Sequence, residues 1–219
     1  CREILGDMSR PVPMRRLLQG DVGSGKTVVA LAGMLAAAVN GCQSALMAPT
    51  EILAEQHYRT ISGLMEGWAS RTGSGAPAVR LVTGSQSRVE RATSQEDIES
   101  GAASIVVGTH ALIEGPIQFK ALGLAIIDEQ HRFGVMQRSL LRDKVYNPHV
   151  LVMSATPIPR SLALTVYGDL DLSVIDELPP GRQVVKTYWL TSRERERAYR
   201  FARGQVDKGR QVFVICPLI

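Results

Sequence analysis

Residues 20–27 read GDVGSGKT, with glycines at the first, fourth and sixth positions and a Lys-Thr pair at the end. A short apolar stretch (Arg16, Leu17, Leu18, Gln19) precedes the run. A long Ala/Val/Leu-rich segment, Lys26–Val39, follows it and closes on Asn40-Gly41, a helix-ending pair. A strand that turns through glycines into a helix constrains this chain more than any other feature. The glycines let backbone N–H groups turn inward, and the helix N-terminus adds partial positive charge, so the turn is built for a phosphate. The spacing is that of a complete phosphate-binding loop, in the strand–turn–helix context that separates such a loop from a chance Gly-rich turn. Gly20, Asp21, Val22, Gly23, Ser24, Gly25, Lys26, Thr27 and Val28 are therefore expected to line a nucleotide. Lys26 is expected to reach the outer phosphates of ATP, and the Thr27 hydroxyl to ligate Mg²⁺.

The rest of the chain alternates strand-length apolar segments with helical patterns. Residues 44–48, 79–82, 104–107, 124–127 and 150–153 read as strands, and residues 51–65 and 87–100 as helices. A Gly/Ser-rich stretch over 67–77 reads as a loop. The strands are apolar on both faces, which is the signature of a parallel sheet covered on both sides. The expectation is an α/β, doubly wound parallel sheet, with ligands at the carboxyl ends of the strands. Residues 1–177 are expected to form this domain. A Pro-rich linker, 178–183, is expected to lead into 184–219, a βαβ piece (strands near 184–190 and 211–216 around an Arg/Glu-rich helix) that opens a second α/β domain. Thirty-odd residues cannot bury a core alone. The chain starts with Cys and ends in an apolar run, so it reads as a piece of a longer protein.

Composition excludes some classes. The 219 residues are 45% hydrophobic and 21% charged, with mean hydropathy +0.02, an ordinary globular balance. Cys1, Cys42 and Cys216 are too far apart for a metal site or disulfide framework. The charge-free stretch 27–50 is interrupted too early to span a bilayer. A net charge of +4 is compatible with a polyanionic partner.

A second acidic element complements the phosphate loop. Residues 124–131 read LAIIDEQH, which puts Asp128 and Glu129 at the tip of a buried strand. Acids capping a surface strand would look the same. A phosphate loop, however, needs a carboxylate from another strand of its sheet. Asp128 would hold Mg²⁺, Glu129 would polarise an attacking water, and Gln130 and His131 would sense the γ-phosphate. Thr50 and Thr109 also follow apolar strands. Each has a hydroxyl able to hold a backbone phosphate without reading a base; a plain helix N-cap explains Thr50 equally well.

With these residues in place the chain resembles the RecG family of superfamily-two ATP-dependent DNA helicases. The resemblance rests on PTEILAEQH (49–57), GTHALI (108–113), DEQH followed by RFGVMQR (128–138), SATPIPR (154–160) and DLDLSVIDELPPGR (169–182). It covers nearly the whole chain and implies that the sheet is a RecA-like P-loop NTPase domain. It implies that Pro49, Thr50, Glu51, Gln56, Thr83, Gly84, Ser85, Thr109 and His110 track DNA backbone. It also implies that Ser154, Ala155, Thr156 and Arg160 couple the nucleotide to DNA; without it, Ser154–Thr156 would read as a strand stopped by Pro157 and Pro159. Implied partners are branched double-stranded DNA and the second motor and wedge domains of a longer, monomeric, cytoplasmic bacterial protein without membrane contact. The adenine-reading residues and the arginine finger would lie outside this chain, so the segment alone is expected to bind nucleotide weakly and not to unwind DNA. The transcription-repair coupling translocases share the TPIPR element but typically carry a second Glu where this chain has Gln130. DEAD-box RNA helicases have Asp at the place of His131. A non-catalytic ATP-dependent switch would not need Glu129.

Overall fold

Alternation along each central strand builds the core. In the computed structural model, which describes residues 1–73, 75–109, 112, 117–128, 147–156, 170–177 and 185–216, Leu124 and Ile126 of β5 (Leu122–Asp128) point to one face of a sheet, and Ala125 and Ile127 to the other. β1 (Arg15–Gly20), β2 (Gln43–Met47), β4 (Ile105–Gly108) and β6 (His149–Ser154) divide their apolar side chains in the same way. Both faces are therefore buried. This is why the strands read as continuous apolar runs. β3 (Val79–Val82) and β7 (Asp171–Ile175) are the two outer strands, and they are shorter or more polar.

The order across the sheet is β3-β4-β2-β5-β6-β1-β7, and every neighbouring pair is parallel. The expected doubly wound α/β sheet is thus what the chain forms. One face is covered by α1 (Arg2–Met8), α2 (Lys26–Val39) and α3 (Glu51–Thr72), which bury Ile4, Met34, Ala54, Ile61 and Met65 against it. The other face receives Ile98 of α4 (Arg88–Ser100). α4 starts at a capping box, in which Glu90 N donates to Ser87 Oγ and Ser87 N donates to Glu90 Oε2. The Ser87 hydroxyl, and after it the Ser87 N–H, donate to the Glu90 carboxylate and hold it below its ordinary pKa.

Three elements differ from the sequence expectation. α3 continues past residue 65 to Thr72 and stops at Gly73, whose φ of 67° supplies the left-handed cap. α1 and β7 carry no clear sequence signal of their own. Both are tied to β1 by Arg16, whose guanidinium donates to Asp7 Oδ2 at 2.6 and 2.8 Å and to Ser173 Oγ at 2.8 Å.

The chain divides into two compact units, Cys1–Pro179 and Pro180–Ile219. In the second, a 3₁₀ turn (Ser192–Glu194) leads into α5 (Arg195–Val206), which buries no residue. The strands expected near 184–190 and 211–216 do not form over the described residues 185–190 and 211–216. The reason is physical: a strand is completed by its neighbours, and Trp189 and Ile215 here remain 86% and 92% exposed. Among the described residues no helix is long and apolar enough to cross a membrane.

Candidate nucleotide and nucleic-acid site

The loop after β1 has the shape its glycines require. Gly23 and Gly25 take φ of 79° and 94°, values that carry a Cβ penalty in any other residue. Gly25 is the N-cap of α2, and no side chain caps that helix. The positive end of the helix therefore faces the loop as an anion seat. The Lys26 ammonium arches back across the loop and donates to the carbonyls of Gly20 at 2.7 Å and Asp21 at 2.9 Å. Val22 N donates to Asp21 Oδ1 at 2.7 Å, which tightens the turn. Ser24 Oγ is buried without a hydrogen-bond partner among the described residues, an orphaned polar atom that asks for a ligand. Val22 and Val28 are exposed on the rim. This cradle fits a polyphosphate.

The carboxyl edge of the sheet arranges the remaining candidates in a row. Read from β3 to β1, the strand ends carry Thr83, Thr109, Thr50, Asp128, Ser154 and Gly20. Asp128 lies level with Met153, and Met153 with Leu18 of β1. Asp128 is thus two strands, about 10 Å, from the strand that launches the phosphate loop. A threonine hydroxyl at the start of α2 and a carboxylate at the tip of β5 are hard oxygen donors of the kind Mg²⁺ takes, so the residue types fit the metal as well.

Asp128 is held from an unexpected side. Its Oδ2 pairs with His57 Nε2 of α3 at 2.8 Å. An ionised carboxylate only accepts, so the imidazole Nε2–H donates. The sequence reading gave His57 no role. The signal that finds it is tertiary: α3 follows β2, and β2 lies beside β5. The hydroxyls of Ser154 and Thr156 bond each other at 2.9 Å, and Thr156 N donates to Ser154 Oγ at 3.2 Å. Ser154 stands on β6, between the carboxylate and the phosphate loop.

The other half of the edge is more exposed. Thr50 is an N-cap whose Oγ1 accepts from Leu53 N at 3.3 Å. Pro49, Thr50, Gln56, Gly84 and Ser85 are open to solvent, whereas Thr83 is only 2% exposed, with its hydroxyl turned to Ser85 Oγ. Glu51 Oε1 accepts from Gly84 N at 2.8 Å, so these two candidates engage one another. Glu129, Gln130, His131, His110 and Arg160 lie outside the described residues.

A sequence model described as DEAD/DEAH box helicase matches residues 9–165. The chain belongs to the DEAD/DEAH box helicase family. Within it, the resemblance read from the motifs is met along the whole chain. The ATP-dependent DNA helicase RecG of Bacillus subtilis (strain 168) is 51% identical over 218 residues, covering 100% of this chain and 31% of the relative. That of Aquifex aeolicus (strain VF5) is 52% identical over 221 residues, with 100% and 27% covered. A solved structure of RecG bound to a three-way DNA junction matches with a TM-score of 0.82 at 45% identity, covering 100% of this chain and 28% of that one. The chain thus spans between about a quarter and a third of the relatives it matches.

Proposed function

We propose that the protein carrying this segment is an ATP-dependent DNA helicase of RecG type that remodels branched DNA such as stalled forks and four-way junctions, in the bacterial cytoplasm. Residues 1–177 are its first RecA-like motor domain, 178–183 a linker, and 184–219 the start of the second. The observation that supports this reading best is the row of strand ends. Gly20–Val28, Ser154 and Asp128 share one sheet edge with the exposed Thr50, Gly84 and Ser85 and the half-buried Thr109, which supports reading the first group as the nucleotide half and the second as the DNA half. The two named relatives are ATP-dependent DNA helicases, and a solved RecG structure holds a three-way DNA junction.

In this reading the amides at the start of α2 and the Lys26 ammonium cradle the β- and γ-phosphates, and Lys26 exchanges its carbonyl partners for phosphate oxygens. Thr27 and Asp128 would hold Mg²⁺, which would neutralise charge on the phosphate oxygens. Glu129 orients and polarises the water that attacks the γ-phosphate. Gln130 and His131 follow the γ-phosphate, while Ser154–Thr156 and Arg160 carry its state to the DNA-facing half. There Pro49, Thr50, Gln56, Gly84, Ser85, Thr109 and His110 meet backbone phosphates. Glu51 ties the start of α3 to the loop after β3 through Gly84 N, and Thr83 bonds Ser85 within that loop. In this reading the arginine finger comes from the second motor domain, a group worth about 10³–10⁵ in rate in related phosphoryl transfer. The first motor domain by itself is therefore expected to bind nucleotide weakly and to turn it over barely. In the intact protein, Glu129→Gln should abolish DNA-stimulated ATP turnover while ATP still binds. Full turnover in that variant would remove Glu129 from the base role.

A further inference from the structure

α3 starts at Thr50, on the exposed half of the edge, and reaches His57 two turns later, about 10 Å along its axis. Its inner face is seated by Ala54, Ile61 and Met65, all buried in the same cluster as Leu124 and Ile126 of β5. Period-two alternation sends Asp128 to that face too. There the imidazole and the carboxylate, 14% and 13% exposed, meet at 2.8 Å. One carboxylate oxygen, Oδ2, is thereby fixed by the helix. The bond also crosses the boundary between the two halves of the edge: α3 begins at the residues read as meeting DNA, and Asp128 is read as the metal carboxylate.

We propose that His57 is a positioning residue that makes α3 part of the metal site, so that engagement of backbone phosphate at the start of α3 is felt as an orientation of the Asp128 carboxylate. This rests on the proposed motor function. A packed helix moves as a rod, and a shift of its first turn carries the imidazole with it. The Nε2–H donor leaves Oδ1 to face a metal, just as outer-shell donors orient ligating carboxylates elsewhere. No other described side chain bonds Asp128.

The test is equilibrium binding of a fluorescent, non-hydrolysable ATP analogue to the intact protein, in Mg²⁺ and in EDTA, each with and without a forked DNA duplex. In the wild type, Mg²⁺ tightens binding and DNA changes it further. His57→Leu should reduce the Mg²⁺ enhancement about tenfold and bring the DNA effect close to one. His57→Gln, which offers an amide N–H at similar reach, should restore both. In an Asp128→Asn background, His57→Leu should add no further loss. Wild-type Mg²⁺ and DNA effects in His57→Leu overturn the inference and leave the motor function standing. So does an additional full loss in the Asp128→Asn background, which would mark a merely structural histidine. A wild-type protein whose affinity ignores both Mg²⁺ and DNA overturns the motor function and the inference with it.

Discussion

A methyl group at position 20 has little room. A Cβ there would lie 2.6 Å from Ser24 Oγ and 3.1 Å from Ile175 Cβ on the neighbouring strand. The serine can rotate away; the strand cannot. Gly20→Ala is expected to lower stability by about 1–3 kcal/mol and to weaken binding of a triphosphate, read by denaturant unfolding and by fluorescence titration. Gly25 differs. A Cβ there would touch nothing, but its φ of 94° costs an L-residue about 1–2 kcal/mol. Gly25→Ala should therefore distort the helix N-cap rather than clash. The phosphate loop was legible in the sequence because all its parts are contiguous: glycines, Lys26 and Thr27 follow one another. His57 was not legible. Its partner is 71 residues away, and the pairing exists only because β2 and β5 are adjacent, which no local pattern encodes.

At the scale of elements, central strands and helices could be read in advance because burial on both faces leaves a continuous apolar signature, and because Asn40, Ser87 and Gly101 mark helix ends. α3 runs seven residues past the end its sequence suggests, where Gly67 looks like a breaker. A glycine costs a helix only about 1 kcal/mol, and the left-handed stop comes later, at Gly73. α1 and β7 were missed because their anchor is one buried cation. Arg16 sits between Asp7, Glu3 and Ser173, and Glu3 also takes a bond from Ser173 Oγ. Removing Asp7 takes away the two bonds at 2.6 and 2.8 Å and leaves Arg16 with Ser173 and the longer contacts to Glu3 and Asp171, so Asp7→Ala should cost about 1–3 kcal/mol in urea unfolding; a loss below about 0.5 kcal/mol would show that the network is dispensable. β1 and β6 are stitched at their start by Met14 N donating to His149 Nδ1 at 2.9 Å. Burial pushes the His149 pKa below its ordinary 6.5, against a smaller upward pull from Asp7. A depressed histidine pKa means that the unfolded chain takes the proton first. The contribution is complete above the ordinary value and is lost as pH falls through the folded one. The thermal midpoint should drop between pH 7 and 5.5. It should drop less in His149→Asn, which keeps an acceptor without a titrating ring.

Across the whole molecule, the sheet order makes the site. Parallel strands send every loop that follows a strand to one edge, and placing β5 and β6 between β2 and β1 sets the acidic strand end at the centre of that edge. The sequence told that a carboxylate would serve the phosphate loop, but not which helix would hold it. The second unit shows the converse. Apolar segments such as 211–216 have the composition of strands, yet a strand is a property of the sheet that receives it. The central claim is that Thr27 and Asp128 grip one metal with a triphosphate on the loop of Lys26. Electron paramagnetic resonance of Mn²⁺, titrated into the intact protein saturated with a non-hydrolysable ATP analogue, tests it directly. One protein-bound Mn²⁺ per chain is predicted, with affinity reduced at least about tenfold by Thr27→Ala and by Asp128→Asn alike. An Mn²⁺ signal and affinity unchanged by Asp128→Asn would contradict the account.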